Sequence, residues 1–356
     1  MHVLFDIKSE TGNYPIALQR RGMEDTFAQM RQAVVIADTH FAGELAAHGI
    51  SVIALPANEG TKSLDTIGAI IVKLREAGAH RNSHLWAVGG GVIQDVAGFI
   101  ASIYMRGIKW TYLPTTLLAM TDSCIGGKSS INVGAFKNIV GTFNTPDKVI
   151  IDPQLTKTLS VEQKIAGLVE AAKICFCRDD ACFTQYMALA PDASASTDTI
   201  EAVILLSLQA KKWFIEIDEF DHAERLLLNF GHTFGHALEG ASGYRISHGI
   251  AVGVGMLCAI ELSRATHKVQ LSGRAIVLEK YLKELLAAVP QLMEILQSID
   301  AGEILKYTQS DKKHGKDYYS FIIVDEKEHS QLVRLPRNEQ TDQSIISAFK
   351  SSLENF

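Results

Sequence analysis

The residues best suited to chemistry stand between positions 229 and 248, in the run Asn-Phe-Gly-His-Thr-Phe-Gly-His-Ala-Leu-Glu and the short link that brings in His248. On a helix over 226–239, His232 and His236 fall one turn apart on one face, and Gly231 and Gly235 on the adjacent stripe leave room for close approach. His248 follows a glycine-containing turn and opens a second, small and apolar helix. These three imidazoles are candidate metal ligands, although a His-x3-His pair without the glutamate of a zincin motif also arises by chance. Glu170, in Gly-Leu-Val-Glu-Ala-Ala-Lys, offers a carboxylate, and a His/His/carboxylate set with an open position suits a catalytic zinc or a similar divalent ion. Arg225 and Asn229 lie on the approach to the same histidines.

A second group concerns anions. Gly89-Gly90-Gly91 follows an apolar strand over 85–88 and opens a helix over 92–104, which puts backbone N–H groups and a helix N-terminus where a pyrophosphate can sit. The third glycine of GxGxxG is missing, so a purely structural tight turn is the alternative. Asp38 ends an earlier strand, where a carboxylate can bind ribose hydroxyls, and Glu59 with Lys62 ends another. Arg106, Lys128, Lys137 and Asn138 lie among glycines and apolar residues and together offer what a phosphate pocket needs, against the ordinary fate of such residues as solvated surface charge.

The elements that must position these groups follow from periodicity. Residues 3–8 and 15–20 alternate around Thr-Gly-Asn and predict a hairpin. Strands over 33–37, 51–55, 85–88, 110–113 and 148–152 alternate with helices over 41–48, 63–77 and 92–104, the pattern of a parallel α/β sheet. Past Pro153 the period becomes helical, with helices over 161–177, 197–217, 225–239, 248–266, 273–286 and 290–298, then a hairpin of 319–324 with 331–335 and a terminal helix. The reading is a dinucleotide-binding α/β domain over 1–152 and a mainly helical domain over 153–356. Glu170 and Lys173 stand one turn apart in the first helix of the second domain, Lys211 late in its second helix, and Asp311-Lys312-Lys313-His314-Gly315 just before its hairpin.

With 356 residues the chain is long enough for two cores, and its net charge of −6 argues against nucleic acid or an anionic membrane as a general partner. The apolar run over 250–262 is broken by two glycines and reads as too short to span a bilayer, and residues 1–20 carry charges throughout, unlike a signal peptide. Five cysteines with no CxxC fit reduced cytoplasmic thiols, with Cys175 and Cys177 read as helix packing and not as a metal pair.

The blocks Gly-Gly-Gly-Val-Ile-x-Asp, Met-Arg-Gly, Pro-Thr-Thr-Leu-Leu-Ala, Asp-Ser-x-Ile-Gly-Gly-Lys, Lys-Asn, Glu-x-x-Lys, Asn-Phe-Gly-His-Thr-Phe-Gly-His and Asp-Lys-Lys resemble the 3-dehydroquinate synthases, of the sugar-phosphate cyclases, from about position 38 to 313. The resemblance implies a dinucleotide-binding α/β domain followed by a helical metal-binding domain, with the active site in the cleft between them. It implies Glu170, His232 and His248 as ligands of one divalent metal, zinc with cobalt as the alternative, and moves His236 to the substrate site. Asp122, Lys128, Asn138, Lys173, Lys211, Arg225, Asn229 and one of Lys312 or Lys313 complete that site by resemblance, and Arg106 resembles an arginine lent to a neighbouring subunit of a homodimer. Asp38, Glu59, Lys62, Gly90, Gly91, Asp95, Thr115, Thr116, Asp122 and Lys137 resemble NAD contacts. The reaction so implied converts 3-deoxy-arabino-heptulosonate 7-phosphate to 3-dehydroquinate by transient oxidation, phosphate elimination, re-reduction and aldol closure.

Some positions depart from the family pattern: Gln94 stands for a glycine, residues 133–136 replace a loop that contains Pro and Gly, and Val169, Ala171 and Ala172 surround Glu170. They keep open a paralogue acting on sedoheptulose 7-phosphate. A metal-dependent NAD polyol dehydrogenase of the same architecture and a catalytically silent paralogue are the other readings.

Overall fold

A computed structural model describes residues 2–134, 136–267, 271–311 and 313–354, so Ala135 and Lys312 lie outside the described residues. The chain divides into two compact units, Met1–Leu159 and Ser160–Phe356. The division falls slightly later than expected because the turn Pro153–Thr158, capped by Asp152 accepting from the Gln154 amide, stays with the first unit.

The first unit is α/β. Its strands are β1 (His2–Ile7), β2 (Tyr14–Leu18), β3 (Val34–Asp38), β4 (Val52–Leu55), β5 (His84–Gly89), β6 (Lys109–Pro114), β7 (Ile131–Val133), β8 (Phe136–Val140) and β9 (Lys148–Ile151). Its helices are α1 (Phe27–Met30), α2 (Thr39–Ala47), α3 (Leu64–Glu76) and α4 (Gly91–Ile103). Among the described residues, seven strands form one sheet in the order β1-β2-β9-β6-β5-β3-β4, parallel except where β1 meets β2. The central strands are apolar along most of their length because helices cover both faces of such a sheet. On one face Val35, Ala37, Trp86, Val88, Leu113 and Ile150 pack with Phe27, Met30, Phe41 and Leu45.

After β4 the chain returns to lay β5 on the other side of β3. This reversal leaves the carboxyl ends of β3 and β5 side by side, with Ala37 opposite Val88, which is where open α/β sheets receive a nucleotide.

The second unit contains α5 (Val161–Arg178), α6 (Asp180–Ala188), α7 (Thr197–Ile217), α8 (His232–Ala241), α9 (His248–His267), α10 (Arg274–Leu286), α11 (Leu292–Gln297), α12 (Ala301–Gln309), the antiparallel hairpin β10 (Tyr318–Val324) and β11 (Ser330–Pro336), and α13 (Glu339–Glu354). A Ser160/Gln163 capping box starts α5 where the periodicity placed it. Two helices were not expected, α6 and α12; α6 is capped by Asp179, whose side chain accepts from the Cys182 amide.

The helix predicted over 225–239 is instead two pieces. Glu224–Asn229 is a 3-10 helix, and Gly231 at φ 78° breaks the path before α8 begins at His232. An added Cβ at Gly231 would approach the Val252 carbonyl oxygen within 2.7 Å, so both backbone conformation and space demand glycine. The apolar run expected to be too short for a bilayer extends into the 20-residue α9, long and apolar enough to cross one by length and composition, yet 78% of its most apolar window is buried within the protein.

Helix α9 is the axle of this unit and passes α8 at backbone distance. A Cβ on Gly255 would stand 2.1 Å from the Gly231 carbonyl oxygen. Gly-to-Ala in an exposed helix interior gains roughly 0.5–1 kcal/mol. Gly255→Ala should instead cost about 1–3 kcal/mol, the usual penalty of overpacking, measured by urea denaturation. A stabilised variant would contradict the close crossing of α8 and α9.

Candidate active site

Three helices bring the expected metal set together. Glu170 is buried on α5, His232 is the first residue of α8, and His248 is the first of α9. One ligand atom from each lies within 4.8 Å of the others. His248 Nε2 is 3.7 Å from Glu170 Oε1, and the His232 and His248 ring centroids are 5.3 Å apart. Lys173, one turn along α5, forms an ion pair with Glu170, and both side chains are almost fully buried.

The protonation of these groups suits coordination. His232 is held well below the ordinary imidazole range, chiefly by burial and then by the Lys173 charge, so it stays neutral as a ligand must. Its Nδ1 lies 3.3 Å from the Phe230 carbonyl oxygen, and the tautomer that donates there presents Nε2 as the ligand atom. Burial opposes charge on His248 too, but the hydrogen bond and charge of Glu239, followed by the charge of Glu170, push it upward. Two imidazoles and a carboxylate fit a divalent ion with a position left for another ligand.

His236 is the most exposed imidazole of the group, its side chain 42% accessible, and its Nδ1 lies 3.6 Å from Asp311 Oδ2. Lys313 Nζ lies 3.5 Å from the same oxygen, and Lys313 also donates its amide to Asp311 Oδ1 at 2.9 Å. Asp311 is consequently held below the usual carboxylate range, since His236 and Lys313 outweigh its burial. A second trio, His236, Glu239 and His248, also meets within 4.8 Å. Lys211 is buried on α7, which packs against α5.

Arg225 and Asn229 depart from the expected geometry. They do not continue the helix of His232, because Gly231 separates them from it. Arg225 is only 3% exposed, donates from its guanidinium to the Glu219 carbonyl, and donates its amide to Asp218 Oδ2 at 3.1 Å. Asn229 donates its side-chain amide to the Leu226 carbonyl at 3.0 Å.

In the first unit the expected cofactor residues form two groups. At the strand ends, Asp38 caps α2 by accepting from the His40 amide, Gly90 caps α4 without a side-chain bond, and Thr115 donates its amide to the Gly89 carbonyl. Gly90 is pressed against Thr116, whose Cγ2 would be 2.9 Å from an added Cβ. The second group centres on Lys62, whose Nζ lies 2.7 Å from Asp95 Oδ2 and donates to Asn138 Oδ1 at 3.1 Å. Glu59 joins through Lys62 at 4.0 Å and Lys137 at 3.9 Å. Burial pushes the Asp95 carboxyl up to about 6, against the pull of Lys62. Asp122 lies in the turn Ala119–Ser123, which Gln94 fastens by donating to the Ser123 carbonyl and accepting from its hydroxyl, both at 2.6 Å. Of the four donors expected to form one pocket, Arg106, at φ 68°, and Lys128 are exposed, whereas Lys137 and Asn138 join the Lys62 network.

Two acidic residues to which the sequence alone assigned no role, Glu239 and Asp311, stand beside the histidines. Glu239 follows His236 by three and His232 by seven, helical spacing that places all three on one face.

A doubly wound sheet with a glycine turn at its switch point, and a helical unit carrying a two-histidine, one-glutamate cluster, define a class of NAD- and metal-dependent enzymes. The fold is shared with 2-deoxy-scyllo-inosose synthase solved with carbaglucose-6-phosphate, NAD+ and Co2+ (TM-score 0.84, 23% identity, 98% of this chain and 99% of that one). It is shared equally with ValA, the 2-epi-5-epi-valiolone synthase of Streptomyces hygroscopicus subsp. jinggangensis, solved with NAD+ and Zn2+ (TM-score 0.81, 23% identity, 98% and 99%). Residues 52–166 match the 3-dehydroquinate synthase N-terminal family and residues 167–314 its C-terminal counterpart. The 3-dehydroquinate synthase of Dictyoglomus turgidum is 42% identical over 74% of this chain and 73% of its own length, and that of Halalkalibacterium halodurans is 38% identical over 79% and 76%. The chain belongs to the 3-dehydroquinate synthase family.

Metal analysis of purified variants checks the cluster. His248→Ala should lose the ion, whereas His236→Ala should retain it. Unchanged metal content in His248→Ala would remove that residue from the ligand set.

Proposed function

We propose that the protein cyclises 3-deoxy-arabino-heptulosonate 7-phosphate to 3-dehydroquinate with release of phosphate. The observation that carries this reading is the convergence of Glu170, which is buried, with the partly exposed His232 and His248 on three packed helices of a chain that matches both halves of the family. When bound, a divalent ion, zinc in this reading, supplies a Lewis acid for a substrate hydroxyl, and NAD supplies transient hydride acceptance. Glu170, His232 and His248 hold the ion, and Lys173 balances the Glu170 charge inside the unit. Asp38, Glu59, Lys62, Gly90, Gly91, Asp95, Thr115, Thr116, Asp122 and Lys137 are assigned to NAD. Lys128, Asn138, Arg106 and Lys313 are assigned to the leaving phosphate, where fixed cations stabilise the departing charge. Lys312 belongs with them by motif and lies outside the described residues. His236, Lys211 and Asn229 are assigned to the sugar. Arg225 is assigned to the substrate carboxylate by motif, a guanidinium being a permanent charge with a planar fork.

The assembly proposed is a homodimer in which Arg106 serves the neighbouring subunit, supported by its exposure beside the exposed apolar residues Ile103 and Met105. A cytoplasmic setting is supported by the five cysteines, which are thiols and not disulfides.

Substoichiometric NAD with a divalent ion should support many turnovers of phosphate release. Steady NADH accumulation in step with product would favour a polyol dehydrogenase. Arg225→Ala should lower kcat/KM for the heptulosonate phosphate about ten- to a hundredfold, the loss of a charge-assisted contact of roughly 1.5–3 kcal/mol, with little change for sedoheptulose 7-phosphate. Faster phosphate release from sedoheptulose 7-phosphate by the unaltered protein would overturn the substrate assignment and direct attention to Gln94 and residues 133–136.

A further inference from the structure

We propose that Glu239 is a positioning residue for His248, an outer carboxylate that fixes which imidazole nitrogen faces the metal; the inference rests on the reading of His248 as a ligand. The two nitrogens of this ring have different neighbours. Nδ1 lies 3.2 Å from Glu239 Oε2, within hydrogen-bond reach, while Nε2 points toward Glu170, 3.7 Å from its Oε1. A neutral imidazole that donates from Nδ1 to Glu239 keeps its lone pair on Nε2, on the side of Glu170. Carboxylates behind ligating histidines act in this way elsewhere, setting tautomer and ring orientation and raising ligand basicity.

The placement of Glu239 favours this role. It stands two turns after His232 on α8, its side chain 15% exposed, near the end of the helix. Its carbonyl accepts from the Tyr244 amide at 2.8 Å and the Ser242 hydroxyl at 3.1 Å, so the same residue ties down the turn that delivers His248 to the head of α9. The two histidine ligands thus differ in support. His232 Nδ1 faces a backbone carbonyl, that of Phe230, which no substitution removes, whereas His248 Nδ1 depends on a side chain. The competing arrangement makes Glu239 itself a ligand, with His236 and His248 through Nδ1, since those three also meet within 4.8 Å.

Chelator competition with Zn2+ and visible absorption of the Co2+-loaded protein test this on the full chain, for the unaltered protein and for Glu239→Gln, Glu239→Ala and His248→Ala. The unaltered protein should bind one equivalent tightly. Glu239→Ala should bind one equivalent about 10- to 100-fold more weakly, with an altered Co2+ spectrum and an unchanged metal-free melting midpoint. Glu239→Gln, whose amide oxygen can still accept from Nδ1, should fall between the two and keeps the test open should the alanine variant fold poorly. Affinity and spectrum unchanged in both Glu239 variants would overturn the inference. So would two equivalents in the unaltered protein with one lost in Glu239→Ala, which would make Glu239 a ligand. Full affinity in His248→Ala would instead sink the ligand reading on which the inference stands.

Discussion

The site in the second unit depends on helices approaching more closely than side chains ordinarily allow. Gly255 of α9 meets the Gly231 carbonyl at the head of α8, and Gly249 of α9 meets Ala166 of α5, where an added Cβ would be 2.7 Å from the Ala166 carbonyl oxygen. Because ligand atoms of a single ion must converge within a few ångströms, Glu170, His232 and His248 meet only if α5, α8 and α9 touch through backbone. Val169 serves the same packing, with its methyls 3.3 Å from where a Cβ on Gly253 would stand. The glycines are thus as much a part of the site as the histidines.

Electrostatics then set what these groups can be. A nearly inaccessible carboxylate is expensive unless compensated, and Glu170 has Lys173 beside it and two imidazoles facing it. His232 is kept neutral while His248 gains an acidic neighbour in Glu239, so the two imidazoles differ in environment although both begin helices. In the first unit a comparable economy holds. Asp38, at the end of β3, caps α2, and Lys62, in the 3-10 helix Glu59–Lys62 that follows β4 and not at the strand end expected for it, bonds Asp95 and Asn138.

Much of this was legible in the sequence because the signals are strong. The Gly89 to Gly91 turn, the apolar strands around it and the long periodic helices α5, α7 and α9 fall within a residue or two of expectation. The failures have physical causes. Residues 225–239 carry a helical period, but Gly231 adopts a left-handed conformation forced by contact with α9, a tertiary effect that no local pattern records. Arg225 therefore sits inward on the Glu219 carbonyl instead of along a shared face with His232. The short helices α6 and α12 are held by tertiary packing and by aspartate caps at Asp179 and Asp300. The contact of Asp311 with His236 escaped because their separation in sequence conceals it, whereas Glu239 carries a helical spacing from His232 and His236 that a search for metal ligands passes over.

In the proposed site one divalent ion is held by Glu170, His232 and His248. Anomalous diffraction from crystals soaked with Co2+ tests it most directly, because it locates the ion without reference to activity. A single peak about 2.0–2.2 Å from Nε2 of His232, Nε2 of His248 and a Glu170 oxygen is the result expected, by the usual lengths of such bonds. A peak on His236, Glu239 and Nδ1 of His248, or no peak at the three-helix junction, would contradict it.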